Sequence, residues 1–142
     1  MSGLGFTART VNNLKITSRT SIINGFTDVL DNKGNHFQPA TGVFTAPVSG
    51  LYTTGLKHDD SIEIAAQFDL VHESRGPPGH GDTVETVIAV TSTAAHLVGG
   101  VSSIVKSIWM EEGDRLFVKL KMLCDGEFTL LAPSMFHCYL CG

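Results

Sequence analysis

Apolar and polar residues alternate one by one along much of this chain, and that rhythm is the tightest constraint on what it folds into. In IEIAAQFDL, residues Ile62, Ile64, Ala66, Phe68 and Leu70 share one parity, while Glu63, Gln67 and Asp69 take the other. RLFVKLKM repeats the pattern, with Leu116, Val118, Leu120 and Met122 set against Arg115, Lys119 and Lys121. A period of two is the side-chain period of a strand, so each stretch is expected as a half-buried strand. Further strands are expected over Thr83–Val90 and Met135–Cys141. Turns are expected at Asn24-Gly25, Asn32-Lys33-Gly34, Arg75–Gly81, Glu112-Gly113-Asp114 and Asp125-Gly126, where Gly, Asn, Asp and Pro break the alternation.

Two stretches need separate treatment. In GVFTAPVSGLY, two extended arms meet at a turn over Pro47-Val48-Ser49-Gly50, with Phe44 and Tyr52 placed to bury a ring on either side. Pro lacks the ladder donor and Gly tolerates a tight turn. In VSSIVKSIWMEE, residues Val101, Ile104, Val105, Ile108 and Trp109 fall at helical spacing. Its β-branched, Ser-rich composition and the short strands around it favour a strand instead. The sum is an all-β domain of about eight to ten strands, for which a sandwich or jelly roll is the natural packing.

A length of 142 residues suits a single domain over 1–142 with one core. No window reaches the roughly 20 apolar residues of a membrane helix, and Met1–Thr10 lacks the charged and apolar regions of a leader. No membrane insertion is expected. The net charge of −4, with ten basic residues dispersed along the chain, lacks the basic footprint of a nucleic-acid binder. Six His would make that charge positive on titration below about pH 6. Cys124, Cys138 and Cys141 are an odd set near the C-terminus. Either Cys124 pairs with Cys138 or Cys141, or all three stay reduced. No N-x-S/T sequon occurs, so no N-glycan is expected to shield a face.

The corner belongs to a longer spacing: Phe26, Asn32, Phe37, Phe44, Gly50 and Tyr52 in FTDVLDNKGNHFQPATGVFTAPVSGLY. These positions resemble the signature of the globular head domain of complement component C1q. GFTART resembles that family's first strand, EEGDRLFVKL its G-D turn and following strand, and SMFHCYLC its last strand. The resemblance implies a ten-stranded jelly roll like that of the tumour necrosis factor superfamily, assembled as a homotrimer. It implies an extracellular, secreted protein similar to short stalkless C1q-domain proteins of invertebrates. Apolar residues on both faces of some strands, as at Phe117 and Val118 or Val87 and Ile88, fit a face covered by a partner. Thr54 and Leu56 stand where the family carries two more aromatics, so that part of the core is expected to be repacked. TSTAAHLVGG holds no acidic residue, so the family's calcium near the trimer axis is not expected there, and no other cofactor is implied. GPPGHG holds only two collagen-like triplets, too few for a triple helix.

No hydrolase elbow, P-loop, HExxH or dinucleotide fingerprint occurs, and no enzyme is expected. His58, Asp59 and Asp60 form the densest ligand-capable cluster. It is expected as a solvated loop in which Asp59 and Asp60 suit a hard cation, with His58 beside them as a ligand contact. Arg75, His80 and Asp82 lie in the Gly-Pro loop, a setting in which a rigid scaffold presents binding residues. His96 falls near the threefold axis of relatives. The expected function is a non-enzymatic trimeric recognition module, lectin-like, binding microbial glycans or similar surface ligands. The alternative is a tumour-necrosis-factor-like signalling ligand or a structural trimerisation module.

Overall fold

A computed structural model describes residues 4–60, 66–75, 82–92, 101–123 and 126–141. Twelve strand segments occur among them: β1 Gly5–Arg9, β2 Leu14–Ile16, β3 Thr20–Ile22, β4 Asp28–Lys33, β5 Phe37–Gln38, β6 Val43–Thr45, β7 Gly50–Asp60, β8 Ala66–Arg75, β9 Thr83–Ser92, β10 Val101–Met110, β11 Arg115–Met122 and β12 Phe128–Leu140. They exceed the ten expected because the N-terminal third is cut into short pieces. Leu14–Ile16 joins β12 and Thr20–Ile22 joins β11, so that third serves both sheets. No helix long and apolar enough to cross a membrane occurs among the described residues.

The strands form two antiparallel sheets. The first runs β10-β7-β12-β1-β4 with β2 added on β12, and the second runs β5-β6-β11-β8-β9 with β3 added on β11. The alternation in β11 is observed as expected: Leu116, Val118, Leu120 and Met122 face the core. Ala66, Phe68 and Leu70 do the same in β8, which continues to Arg75.

Strand β10 is a strand, and its register explains the misleading helical spacing. Ile108 and Ile104 pair with Tyr52 and Leu56 of β7, whose side chains are buried, whereas Trp109 and Val105 pair with Leu51 and Gly55. Apolar residues therefore occupy both faces of one strand. Two parities superposed imitate a period near 3.6.

The aromatic spacing forms one cluster. Phe6, Phe26, Phe37, Phe44, Tyr52 and Phe136 are all buried. Phe6 stacks on Phe37 at 4.0 Å and meets Phe136 edge-on at 4.9 Å, geometries that aromatic quadrupoles favour. The corner closes because Tyr52 also donates its hydroxyl to the Val48 carbonyl at 2.7 Å, across the Pro-Gly turn, while its ring meets Phe44 at 5.9 Å. Asn32 does equivalent work for the next connection. Its Nδ2 donates to the Phe37 carbonyl at 3.0 Å and its Oδ1 accepts from the Phe37 amide at 3.2 Å. One side chain thus satisfies both backbone groups of a residue.

The expected repacking along β7 is present. Thr54 is buried and donates to the His137 carbonyl at 2.8 Å, and Leu56 is buried beside it. The next inward position is His58, whose ring stacks on Phe68 at 4.0 Å. A flat ring is restored two residues beyond Leu56.

Two expectations about outward-facing residues are corrected. Asp69 is 1% exposed, its carboxylate held by Gln67 Nε2 at 2.7 Å and by Lys121 Nζ at 3.3 Å. Phe117 is also buried, with Lys119 Nζ 5.9 Å from its ring centroid and bonded to Glu85 at 2.7 Å. Long lysine stems cover this face from within the chain, so Phe117 needs no partner.

Candidate functional site

The end of β8 and the starts of β9 and β11 build a concavity on the second sheet. Arg115 pairs with Glu73, and Arg75 pairs with Thr83. With Ser74 and Gly113, these four line a cleft of about 350 Å³. The Arg115 guanidinium lies 3.6 Å from the Glu73 carboxylate. Arg75 is exposed at the strand end, and its Nη2 would lie 3.8 Å from a Cβ built on Gly113. The guanidinium therefore runs alongside the backbone of the Glu111–Asp114 turn.

That turn is fixed from several sides. Gly113 has φ +90°, a conformation glycine adopts without penalty. Its amide donates to the Ala46 carbonyl at 2.9 Å, and the Ala46 amide donates to the Asp114 carbonyl at 2.8 Å. The buried Asp114 carboxylate accepts from the Glu111 amide at 2.9 Å and meets His72 Nε2 at 2.7 Å. On the solvent side, Ser49 Oγ and Trp109 Nε1 donate to the Glu111 carboxylate at 2.8 and 3.0 Å. These bonds hold the Glu111 carboxyl below the usual range, the Ser49 bond foremost.

The sequence-predicted residues separate here. Arg75 lines the cleft; Asp82 is exposed, one residue before Thr83, and does not line it. His80 and His96 lie outside the described residues. His58 is not in a solvated loop: it lies within β7, fully buried, with its Nε2 2.6 Å from the Thr91 hydroxyl. The backbones of Asp59 and Asp60 continue the same central strand, paired with Val101 of β10 and with Leu131 and Leu130 of β12. Their side chains lie outside what the structure describes. The loop expectation fails because the long strand β7 runs on to Asp60, with Asp59 paired on both sides, His58 with β10 and Asp60 with β12. Among the described residues, no group of three or more His, Cys, Asp or Glu is arranged to hold a metal.

Arg115 and Glu73 escaped the sequence reading, which saw Arg115 only as the polar parity of a strand and did not single out Glu73. The signal was present in EEGDRLF, where a charged residue directly follows a tight turn.

The first sheet presents a different surface. Trp109, Val105 and Leu51 are 57%, 65% and 44% exposed and share its outer face. His137 and Tyr139 of β12 continue this face. Burial lowers the His137 pKa. The Tyr139 hydroxyl bonds to Thr7 and reaches Asp31 at 3.3 Å. At the C-terminal end, Cys138 is buried and free with its thiol pKa pushed far up by that burial. Cys141 is exposed and free, 2.9 Å from the Thr53 hydroxyl. Cys124 lies outside the described residues.

Two facing antiparallel sheets in this order define a jelly roll of the type shared by C1q heads and tumour necrosis factors. Residues 5–140 match the family model of the C1q domain, and the chain belongs to that family. Among solved structures it is similar to the globular domain of zebrafish complement 1qA protein, with a TM-score of 0.65 at 16% identity over 99% of this chain and 98% of that one. It is similar also to murine APRIL at pH 8.0, with a TM-score of 0.70 at 12% identity over 99% and 98%. A third similar structure is Eiger TNF from S. frugiperda, with a TM-score of 0.65 at 11% identity over 100% and 94%. No curated protein matches the sequence.

Proposed function

We propose that this protein is a non-enzymatic recognition module that works outside the cell as a homotrimer and binds glycans of microbial or similar surfaces. The observation that carries the reading is a division of labour between the two sheets. One outer face carries the solvent-exposed row Leu51, Val105 and Trp109, which a lone soluble domain gains nothing by exposing. The other sheet ends in a polar, arginine-bearing cleft fixed by a hydrogen-bonded turn. Self-association through the first leaves the cleft of the second free, one copy per chain, although β9 of that sheet also exposes Val84, Val87 and Val90. Shallow sugar contacts are individually weak, and three of them on one particle gain roughly 10² to 10⁴ in avidity when geometry allows.

The test is a glycan and microbial-polysaccharide array probed with the purified protein at neutral pH, with calcium and again with a chelator. Saturable binding to a defined set of glycans supports the reading. Loss of that binding with chelator adds a calcium requirement. A blank array, with one saturable cell-surface receptor recovered instead, overturns it in favour of a tumour-necrosis-factor-like ligand.

A further inference from the structure

We infer that the cleft between Arg75 and Arg115 is a binding site for a sugar residue bearing a single carboxylate, of the hexuronic acid class. The inference rests on the recognition reading above and names the ligand chemistry and the site. Among the described residues, two guanidiniums and one carboxylate line the cleft, a net positive charge of one from those side chains. Each guanidinium offers a planar fork of donors that matches a carboxylate. Arg115 meets Glu73 at 3.6 Å through Nη1, in a side chain that stays 59% exposed. That long contact leaves donors of Arg115 free for a second acceptor.

Glu73 narrows the choice of anion. Its carboxylate shares the cleft and is only 16% exposed, so a doubly charged phosphate or a sulfated polymer would be seated against a fixed negative charge. A sugar acid differs, because its ring hydroxyls donate hydrogen bonds. It can give one end to the arginines and the other to Glu73, with Thr83, the register partner of Arg75, at the wall. A cleft of about 350 Å³ is at the small end of ligand sites, suited to one monosaccharide rather than a chain segment.

The walls are also preorganised. Arg115 follows directly on the turn that Ala46, His72 and the Asp114 carboxylate hold, and Arg75 lies along Gly113 of that same turn. The turn backbone beside both arginines is thus already ordered before binding, which favours affinity.

The experiment titrates the full chain with D-galacturonate, its methyl ester, D-galactose and inorganic sulfate, followed by NMR or calorimetry. Galacturonate is expected to bind at one site per chain, with the ester and galactose at least tenfold weaker. Arg75→Gln is expected to weaken it at least fivefold with an unchanged melting temperature, its side chain being exposed, and Arg115→Gln to weaken it at least fivefold with a lowered melting temperature, since Glu73 loses its partner. Glu73→Gln is expected to shift preference toward sulfate, a change that mere loss of fold would not produce. Sulfate binding as tightly as galacturonate in the native chain overturns the inference, as does galactose binding equally well. Array binding that persists unchanged in Arg75→Gln, without competition by galacturonate, overturns this site and leaves the recognition reading standing. Absence of binding to every glycan overturns both.

Discussion

At the scale of single residues, the signature positions are each tied to a bond or a ring contact. Tyr52, Phe44 and Asn32 were legible as important because their spacing is specific, yet only the structure shows what they do: a corner bond, a ring contact and a backbone mimic. Gly42 carried no such mark. Its φ is +76°, and a Cβ there would lie 2.1 Å from the Ile23 carbonyl oxygen. Gly42→Ala should therefore destabilise the fold by at least about 2 kcal/mol, measured by urea denaturation. A loss within about 0.5 kcal/mol would contradict the geometry. Glu111 allows a sharper test, because Trp109, the single Trp, donates to it directly. Its lowered pKa means the carboxylate is favoured in the folded state. Its contribution to stability is whole above the ordinary glutamate range and is lost as pH falls through the lowered midpoint. Trp109 fluorescence should titrate below about pH 4.3, the ordinary glutamate value. In Ser49→Ala, which removes the leading cause, the midpoint should rise. An identical midpoint in both proteins would show that Ser49 does not act on Glu111.

Elements were more legible than side-chain fates, and for a physical reason. Alternation reports parity, so β8 and β11 were found by it and β10 by its β-branched composition, but parity does not say whether a neighbouring strand covers the outward face. Asp69 and Phe117 were misjudged on that account, since Lys121 reaches Asp69 across from β11 to β8 and Lys119 lies over Phe117 along β11 itself. His58–Asp60 was misjudged because charge suggested a loop, whereas each of these residues is paired within the sheet, Asp59 on both sides. Of the candidate site, Arg75 was legible from its loop, while its partners come from three separated segments joined only by pairing. The β4–β5 connection offers an element-scale test. Asn32→Asp keeps the acceptor for the Phe37 amide and removes the donor to its carbonyl. The variant should lose about 1–2 kcal/mol, with faster amide exchange confined to β4, β5 and β6. Asn32→Ala, which removes both bonds, should lose more. Equal losses would mean the donor half carries the connection alone.

For the whole molecule, the question is why Trp109, Val105 and Leu51 face outward when the chain has a complete core without them. The buried cluster already includes Phe6, Phe37, Phe44, Tyr52 and Phe136, so these three residues are not needed to form it. Their exposure costs solubility unless another copy covers them, and assemblies of identical chains close by symmetry, as rings where the contact joins two different patches. Val105 is the best probe, because at 65% exposed it bears little on the fold of one chain. Val105→Glu should leave the melting curve of the isolated domain within about 0.5 kcal/mol of native at matched oligomeric state. Assembly should respond differently. Sedimentation should give about three times the chain mass of 15.2 kDa for the native protein and a single chain mass for the variant, since a buried unpaired carboxylate is costly. Glycan binding then separates two roles of the surface: the variant should keep its single-site affinity for galacturonate and lose the avidity gain of roughly 10² or more on an immobilised polysaccharide. A variant that still sediments as a trimer would move the interface off this face. One that loses single-site affinity as well would show that the cleft and the apolar row are not independent.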